Sequence, residues 1–142
     1  LDRIQFVADL RAGADWLAAR LPSTKTGIMG FCMGGNLALV TATETGTRFI
    51  AVFPFYGKVE GLDPHALRTP ACGSYGARDT GIPADGVRAF FNTLSVPHDL
   101  RIYDDAGHAF FDDQRASYVA SAAQDAWTRT LAFLNRYAGT RS

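Results

Sequence analysis

The sequence predicts an α/β fold in which parallel strands alternate with helices. Short apolar, β-compatible segments recur along the chain, and between them lie longer segments whose apolar residues are spaced by three or four. The run 49–53 is apolar without interruption, as expected of a parallel strand covered on both faces. No repeat or linker breaks the alternation over 142 residues, so we expect a single domain, 1–142.

The alternation divides the chain into four helices and four strands. The helices are predicted at 2–20, 33–45, 83–94 and 115–137, and the strands at 25–31, 49–53, 71–76 and 100–103. Apolar spacing predicts the first helix, through Ile4, Val7, Leu10, Ala14, Leu17 and Leu21. We expect the last helix to bury Tyr118, Ala122, Trp127, Leu131 and Leu134, and 54–69 to form a long loop.

Composition excludes several classes of function. Fourteen basic residues balance fourteen acidic ones, so nothing indicates binding to nucleic acid or to an anionic membrane. No apolar run reaches the ~18 residues of a membrane span, and the N-terminus lacks the form of a signal peptide. Cys32 and Cys72 are interpreted as free thiols in a reducing compartment, which predicts a cytoplasmic protein. No Cys/His cluster has metal-ligand spacing, so no metal site is expected.

The segment Gly30-x-Cys32-x-Gly34 is typical of a sharp turn from a strand into a helix that exposes a nucleophile at its tip. The tip residue is expected to have φ > 0, and the flanking glycines remove Cβ atoms that would collide with the backbone. The following helix directs its free N–H groups and its positive end toward the tip. The backbone N–H of Met33 is therefore the expected oxyanion donor.

Polar residues follow two further strands at the same edge of the predicted sheet. Asp79 follows the third strand and His108 follows the fourth, and functional groups of such sheets lie beyond the carboxyl ends of the strands. His108 is expected to accept the proton of Cys32, and Asp79 to orient the imidazole. Asp104 and Asp105 are alternatives for the acid, but they are too close to His108 in sequence to approach it easily.

Other candidate residues are given structural interpretations. His65 and His98 have no surrounding motif and are expected at the surface or in turns, and Cys72 is expected in the core. A redox function for Cys32 and Cys72 is disfavoured, because they lack the Cys-x-x-Cys spacing.

Five segments together resemble the dienelactone hydrolase family (carboxymethylenebutenolidases), which has the α/β-hydrolase fold. They are 27–35, with Gly-Phe-Cys-Met-Gly-Gly; 53–57, Phe-Pro-Phe-Tyr-Gly; 76–83; 103–111, with Ala-Gly-His-Ala-Phe; and 118–123. The chain order nucleophile, acid, histidine is also that of α/β-hydrolases. The resemblance covers nearly the whole chain but only the C-terminal part of the family's fold.

The resemblance implies a hydrolase that cleaves small activated carboxylic esters or lactones without a cofactor. It implies that Cys32, Asp79 and His108 are catalytic, with an acyl-thioester intermediate, and we expect Phe31, Phe55, Tyr56 and Phe110 around the substrate. The expected fold is a truncated, minimal α/β-hydrolase domain of about four parallel strands with the first strand at an edge. Such an edge predicts a homodimer or higher homo-oligomer.

A second interpretation is a catalytically incomplete α/β-hydrolase fragment that acts as an oligomerising or binding module. It depends on the absence, ahead of residue 1, of the family's N-terminal part, which supplies the second oxyanion donor.

Overall fold

The computed structural model describes residues 2–139. Within them the elements are, in order, α1 (Arg3–Arg20), β1 (Ile28–Phe31), α2 (Met33–Glu44), β2 (Val52–Phe55), a short 3₁₀ helix (Pro64–Ala66), β3 (Ala71–Gly76), α3 (Ala84–Thr93), β4 (His98–Tyr103) and α4 (Ala120–Ala138). The strands form one parallel sheet in the order β1-β2-β3-β4. The predicted α/β fold is confirmed.

The sheet has two covered central strands and a partly uncovered edge. Every residue of β2 and β3 is buried, which explains their apolar and small composition. In β1, Ile28 and Gly30 are buried while Met29 and Phe31 are exposed, following the alternation of strand side chains. As expected, the first strand lies at an edge of the described sheet.

The second strand begins and ends later than the sequence predicts, at 52–55 rather than 49–53, and it contains Pro54. Alternate residues of a parallel strand bond to opposite neighbours. Val52 N–H bonds to Pro70 O and Tyr56 N–H bonds to Ser74 O, so the missing N–H of Pro54 falls between two hydrogen bonds to β3. Pro54 therefore removes a single hydrogen bond between β2 and β3. Apolar spacing alone does not reveal that a strand can continue through such a position.

The last helix differs from its prediction in both its start and its buried face. It begins at Ala120, after a series of turns that includes Tyr118 N–H bonded to Arg115 O. Tyr118, Trp127 and Leu131 are exposed. The buried residues of α4 are Ala122, Ala123, Ala126, Thr130 and Phe133, because small side chains allow the helix to approach the sheet closely.

The first helix forms close to its predicted bounds but buries little of its apolar spacing. Val7 and Ala14 are buried, whereas Ile4 is 85% exposed. Asp2 caps the helix by accepting a hydrogen bond from the N–H of Gln5. None of the helices between residues 2 and 139 has the length and the apolar content to cross a bilayer.

Candidate active site

The β1–α2 junction places Cys32 at the tip of a sharp turn. Cys32 has φ 55° and ψ −120°, a backbone conformation that costs energy for a residue with a Cβ atom. Two hydrogen bonds fix the turn from either side. Cys32 N–H donates to Phe55 O at 3.0 Å, and Cys32 O accepts from Gly35 N–H at 3.0 Å. The thiol is exposed as a result.

Two glycines of this turn are required by close backbone contacts. A Cβ atom on Gly30 would lie 2.0 Å from Gly34 O, and one on Gly35 would lie 2.9 Å from Phe55 O. A Cβ atom on Gly34 would meet nothing within 4 Å. The expectation that the glycine two residues after the tip avoids a collision is therefore wrong. Gly35 has this role, because the first turn of α2 rotates Gly34 away from the sheet.

The loops after β3 and β4 bring Asp79 and His108 to Cys32. His108 Nδ1 lies 2.6 Å from Asp79 Oδ2, and His108 Nε2 lies 3.0 Å from Cys32 Sγ. Asp79 is buried, and its Oδ1 accepts hydrogen bonds from the N–H groups of Gly81 and Ile82 at 2.9 and 3.1 Å. These bonds leave Oδ2 facing the imidazole, so the carboxylate can fix the tautomer that has its proton on Nδ1.

The start of α2 provides N–H groups beside the thiol. Met33 is the first residue of α2, and Cys32, the residue before it, makes no side-chain capping bond. The first N–H groups of a helix have no acceptor within the helix, so that of Met33 is available to an oxygen atom near Cys32.

A cavity of about 650 Å³ opens above the thiol. Its lining contains seven residues that are not among the expected site residues: Arg3, Asn36, Lys58, Glu60, Thr80, Gly81 and Ile82. Asn36 could have been found from its position one helical turn after Cys32, and Ile82 from its position in the loop of Asp79. Arg3 is brought in by the packing of α1, for which the sequence carries no signal.

Four aromatic residues are expected around the substrate, and of these Tyr56 lines the cavity. Phe55 and Phe110 are fully buried, and Phe31 stacks on Phe55 with the ring centroids 4.7 Å apart. Phe31, Phe55 and Phe110 are not among the residues that line this cavity: Phe31 and Phe55 pack with Phe111, and Phe110 packs against Tyr56.

The segment 56–58, which forms one wall of the cavity, is fixed against α2 and β3. Asn36 Nδ2 donates to Lys58 O at 2.7 Å, and Tyr75 Oη donates to Gly57 O at 3.0 Å. Tyr56 has φ 38°, and its ring centroid lies 5.2 Å from that of His108. Burial, assisted by the charge of Asp112, raises the pKa of Tyr56 to about 12, so this phenol stays neutral around neutral pH.

The alternatives to these residues lie elsewhere. Asp104 and Asp105 are exposed, and His108 Nδ1 bonds to Asp79 instead. His65 is exposed in the 3₁₀ helix, and His98 is exposed at the start of β4. Cys72 is buried, as expected, and burial raises its pKa to about 11. Between residues 2 and 139 no three His, Cys, Asp or Glu side chains are grouped so that they could hold a metal ion.

Comparison with known proteins places this chain in a family. The model of the dienelactone hydrolase family matches residues 3–138. This chain belongs to the dienelactone hydrolase family. A "Putative carboxymethylenebutenolidase" from Escherichia coli (strain K12) is 32% identical over 97% of the chain. One with the same description from Saccharolobus solfataricus is 39% identical over 76% of the chain.

A solved member of the family has the same fold. The crystal structure of a "Putative Dienelactone Hydrolase" from Klebsiella pneumoniae superposes with a TM-score of 0.84, at 33% identity over 95% of this chain. The chain covers 62% of that structure and 56% of the Escherichia coli relative, so it spans little more than half the length of these family members.

Proposed function

We propose that this protein hydrolyses small activated carboxylic esters or lactones through Cys32, His108 and Asp79. The observation that carries the proposal is the pair of contacts made by His108, with Nε2 3.0 Å from Cys32 Sγ and Nδ1 2.6 Å from Asp79 Oδ2. A nucleophile within hydrogen-bond reach of a base, which a third group orients, is the arrangement that nucleophilic catalysis needs. Membership of the dienelactone hydrolase family supports an ester or lactone as the substrate.

In the first step, His108 Nε2 takes the proton of the Cys32 thiol, and the sulfur attacks the carbonyl carbon. The negative charge that develops on the carbonyl oxygen is stabilised by the N–H of Met33. When the C–O bond to the alcohol breaks, His108 returns its proton to the leaving oxygen. The acyl group is then joined to Cys32 as a thioester.

In the second step, a water molecule gives a proton to His108 and attacks the thioester carbonyl. The C–S bond breaks, the free acid leaves, and Cys32 regains its proton from His108. Asp79 stabilises the imidazolium that forms in each step and keeps its own negative charge.

The test is hydrolysis of p-nitrophenyl acetate by the purified chain, compared with Cys32→Ala and His108→Ala. We expect turnover that falls to the uncatalysed rate in both variants. The Cys72→Ala variant is the matched control, because it removes the buried thiol that has no part in the proposal. Equal, background-level rates in all four proteins would refute the proposal.

The second candidate is a catalytically incomplete module that binds ligands or oligomerises. The observation that favours it is that the described residues assign one oxyanion donor, the N–H of Met33 at the start of α2. Loss of one of two such donors costs on the order of 10²–10³ in rate in other enzymes. Folded protein with no Cys32-dependent turnover would favour this candidate.

We also propose that a second copy of the chain covers β1. Met29 and Phe31 on this edge strand are 43% and 37% exposed, and an exposed apolar edge favours pairing with another chain. Light scattering at micromolar concentration should give at least the mass of a dimer. The Met29→Lys variant should give a lower mass, closer to that of the monomer. A wild-type chain that is folded and strictly monomeric would contradict the proposal.

A further inference from the structure

A second cavity, of about 540 Å³, lies beside the one above Cys32. The two share four lining residues, Lys58, Glu60, Gly81 and Ile82. Because the same side chains form the rim of both, the second cavity is a continuation of the first away from the thiol. We call it the α3 groove, since it lies between segment 58–64 and helix α3.

The α3 groove is apolar along its length. Val87 and Phe90 form the wall on the α3 side and are buried, while Val59 and Leu62 form the opposite wall. Gly86 lies on the groove, and a Cβ atom on it would meet nothing within 4 Å. The lining has no buried charged group, so the groove suits an uncharged hydrocarbon chain. The charged side chains of Lys58 and Glu60 are exposed at its rim.

The position of the groove relative to the reacting atoms indicates which part of a substrate enters it. A carbonyl carbon attacked by Cys32 Sγ has three other substituents. Its oxygen faces the N–H of Met33, and the leaving oxygen must lie within reach of His108 Nε2. The acyl substituent takes the remaining direction within the cavity, whose lining includes Lys58 and Ile82.

We propose that the α3 groove binds the alkyl chain of the acyl group, so that the substrates are esters of unbranched medium-chain carboxylic acids. This inference rests on the function proposed above. The groove follows α3 for about two to three turns, roughly 10–15 Å, which is enough for an octanoyl chain. Burial of each added methylene should raise kcat/KM by about threefold to fourfold until the groove is filled.

The experiment compares p-nitrophenyl octanoate with p-nitrophenyl acetate. For the wild-type chain we expect the larger kcat/KM with octanoate. Gly86→Leu fills the groove without touching Cys32, and it should lower the octanoate-to-acetate ratio of kcat/KM at least tenfold. The matched control is Gly13→Leu, because Gly13 also lies in a helix where a Cβ atom meets nothing within 4 Å. This control should leave the ratio unchanged.

The proposal would be overturned if the wild-type chain showed no preference for octanoate, or if Gly86→Leu left the octanoate-to-acetate ratio of kcat/KM unchanged. It would also be overturned if the chain preferred octyl acetate to ethyl acetate, lost that preference in Gly86→Leu, and showed no preference for octanoate. This last result would assign the groove to the alcohol. If no ester is cleaved, the proposed function fails and calorimetry with octanamide tests the groove separately. Octanamide should bind to the wild-type chain at least tenfold more tightly than to Gly86→Leu, and equal binding would overturn the groove assignment too.

Discussion

At the scale of single residues, the arrangement of Asp79 decides what His108 can do. Asp79 Oδ1 is occupied by the N–H groups of Gly81 and Ile82, and Oδ2 is left for His108 Nδ1. The carboxylate is buried, and the backbone hydrogen bonds from its own loop hold it in one orientation. Asp79 therefore positions the imidazole, and the imidazole acts on Cys32.

The Asp79→Asn variant should keep the fold and lose activity. Its Oδ1 can still accept from Gly81 and Ile82, but its NH₂ group then faces His108 Nδ1 and forces the imidazole proton onto Nε2. An imidazole protonated on Nε2 cannot take the proton of Cys32. We expect kcat for p-nitrophenyl acetate to fall on the order of 10⁴-fold.

Asp104→Asn provides the control for this prediction. Asp104 was the alternative acid, it is exposed, and it lies on the loop that carries His108. We expect its kcat to stay within about twofold of wild type. A large loss in Asp104→Asn together with near-normal activity in Asp79→Asn would reverse the assignment.

At the scale of elements, the β1–α2 turn depends on how closely two backbone segments approach. Gly30 contacts the carbonyl of Gly34, and Gly35 contacts the carbonyl of Phe55, so the helix starts almost on top of the sheet. This proximity is what directs Cys32 outward. The turn is thus specified by two glycines that have no chemical function of their own.

Gly30→Ala should destabilise the protein by at least about 2–3 kcal/mol, because its methyl group would overlap the backbone of Gly34. Gly34→Ala should be tolerated, with a gain of roughly 0.5–1 kcal/mol from the better helix former. Urea denaturation of both variants measures the difference. Equal effects at the two positions would mean that the close contact at Gly30 is not formed.

The buried face of α4 leads to a second prediction at this scale. Phe133 is 3% exposed and packs edge-on against Phe53, with centroids 6.0 Å apart, whereas Trp127 is 43% exposed. Phe133→Ala should cost about 3–5 kcal/mol of unfolding free energy. Trp127→Ala should cost about 1 kcal/mol or less. A larger loss of unfolding free energy in Trp127→Ala than in Phe133→Ala would mean that α4 buries the face predicted from apolar spacing and not the face buried in the structure.

At the scale of the whole molecule, the core buries three tyrosine phenols and one cysteine thiol in their neutral form. Burial raises the pKa of Tyr103 to about 12, with a further contribution from its hydrogen bond to Asp125. Burial and Asp112 raise the pKa of Tyr56 to the same value, and burial raises that of Tyr75 further. The buried thiol of Cys72 behaves in the same way, with a pKa of about 11.

These pKa shifts predict a loss of stability in alkali. In the unfolded chain thiols lose their protons near pH 8.5–9 and phenols near pH 10, while the folded chain keeps these protons to about pH 11–12. The unfolded state then binds fewer protons, so the free energy of unfolding falls as pH rises through this window. Below about pH 8 the contribution is fully present.

Urea denaturation between pH 7 and pH 11.5 tests this prediction. Tyr103→Phe removes one of the groups and should give a shallower decline above pH 10, although its stability at pH 7 is lowered by the lost bond to Asp125. A free energy of unfolding that is constant up to pH 11.5 would be inconsistent with the burial of these groups.

The sequence by itself determined the α/β class and the proximity of Cys32, Asp79 and His108. Local spacing identifies parallel strands and helices, and the loops that follow such strands meet at one edge of the sheet. That these residues act as a catalytic triad stays a prediction. The sequence also led to four aromatic residues near the site, of which Tyr56 lines the cavity.

Only the tertiary structure decided which side chains line the cavity and which face of α4 is buried. Arg3 and Lys58 reach the site through packing between elements that are distant in sequence, and no local pattern records such contacts. Trp127 and Leu131 remain exposed although their spacing favours burial, because burial depends on what covers a face as well as on its composition. Apolar periodicity fixes the direction of a side chain, and the packing of neighbouring elements fixes what it meets there.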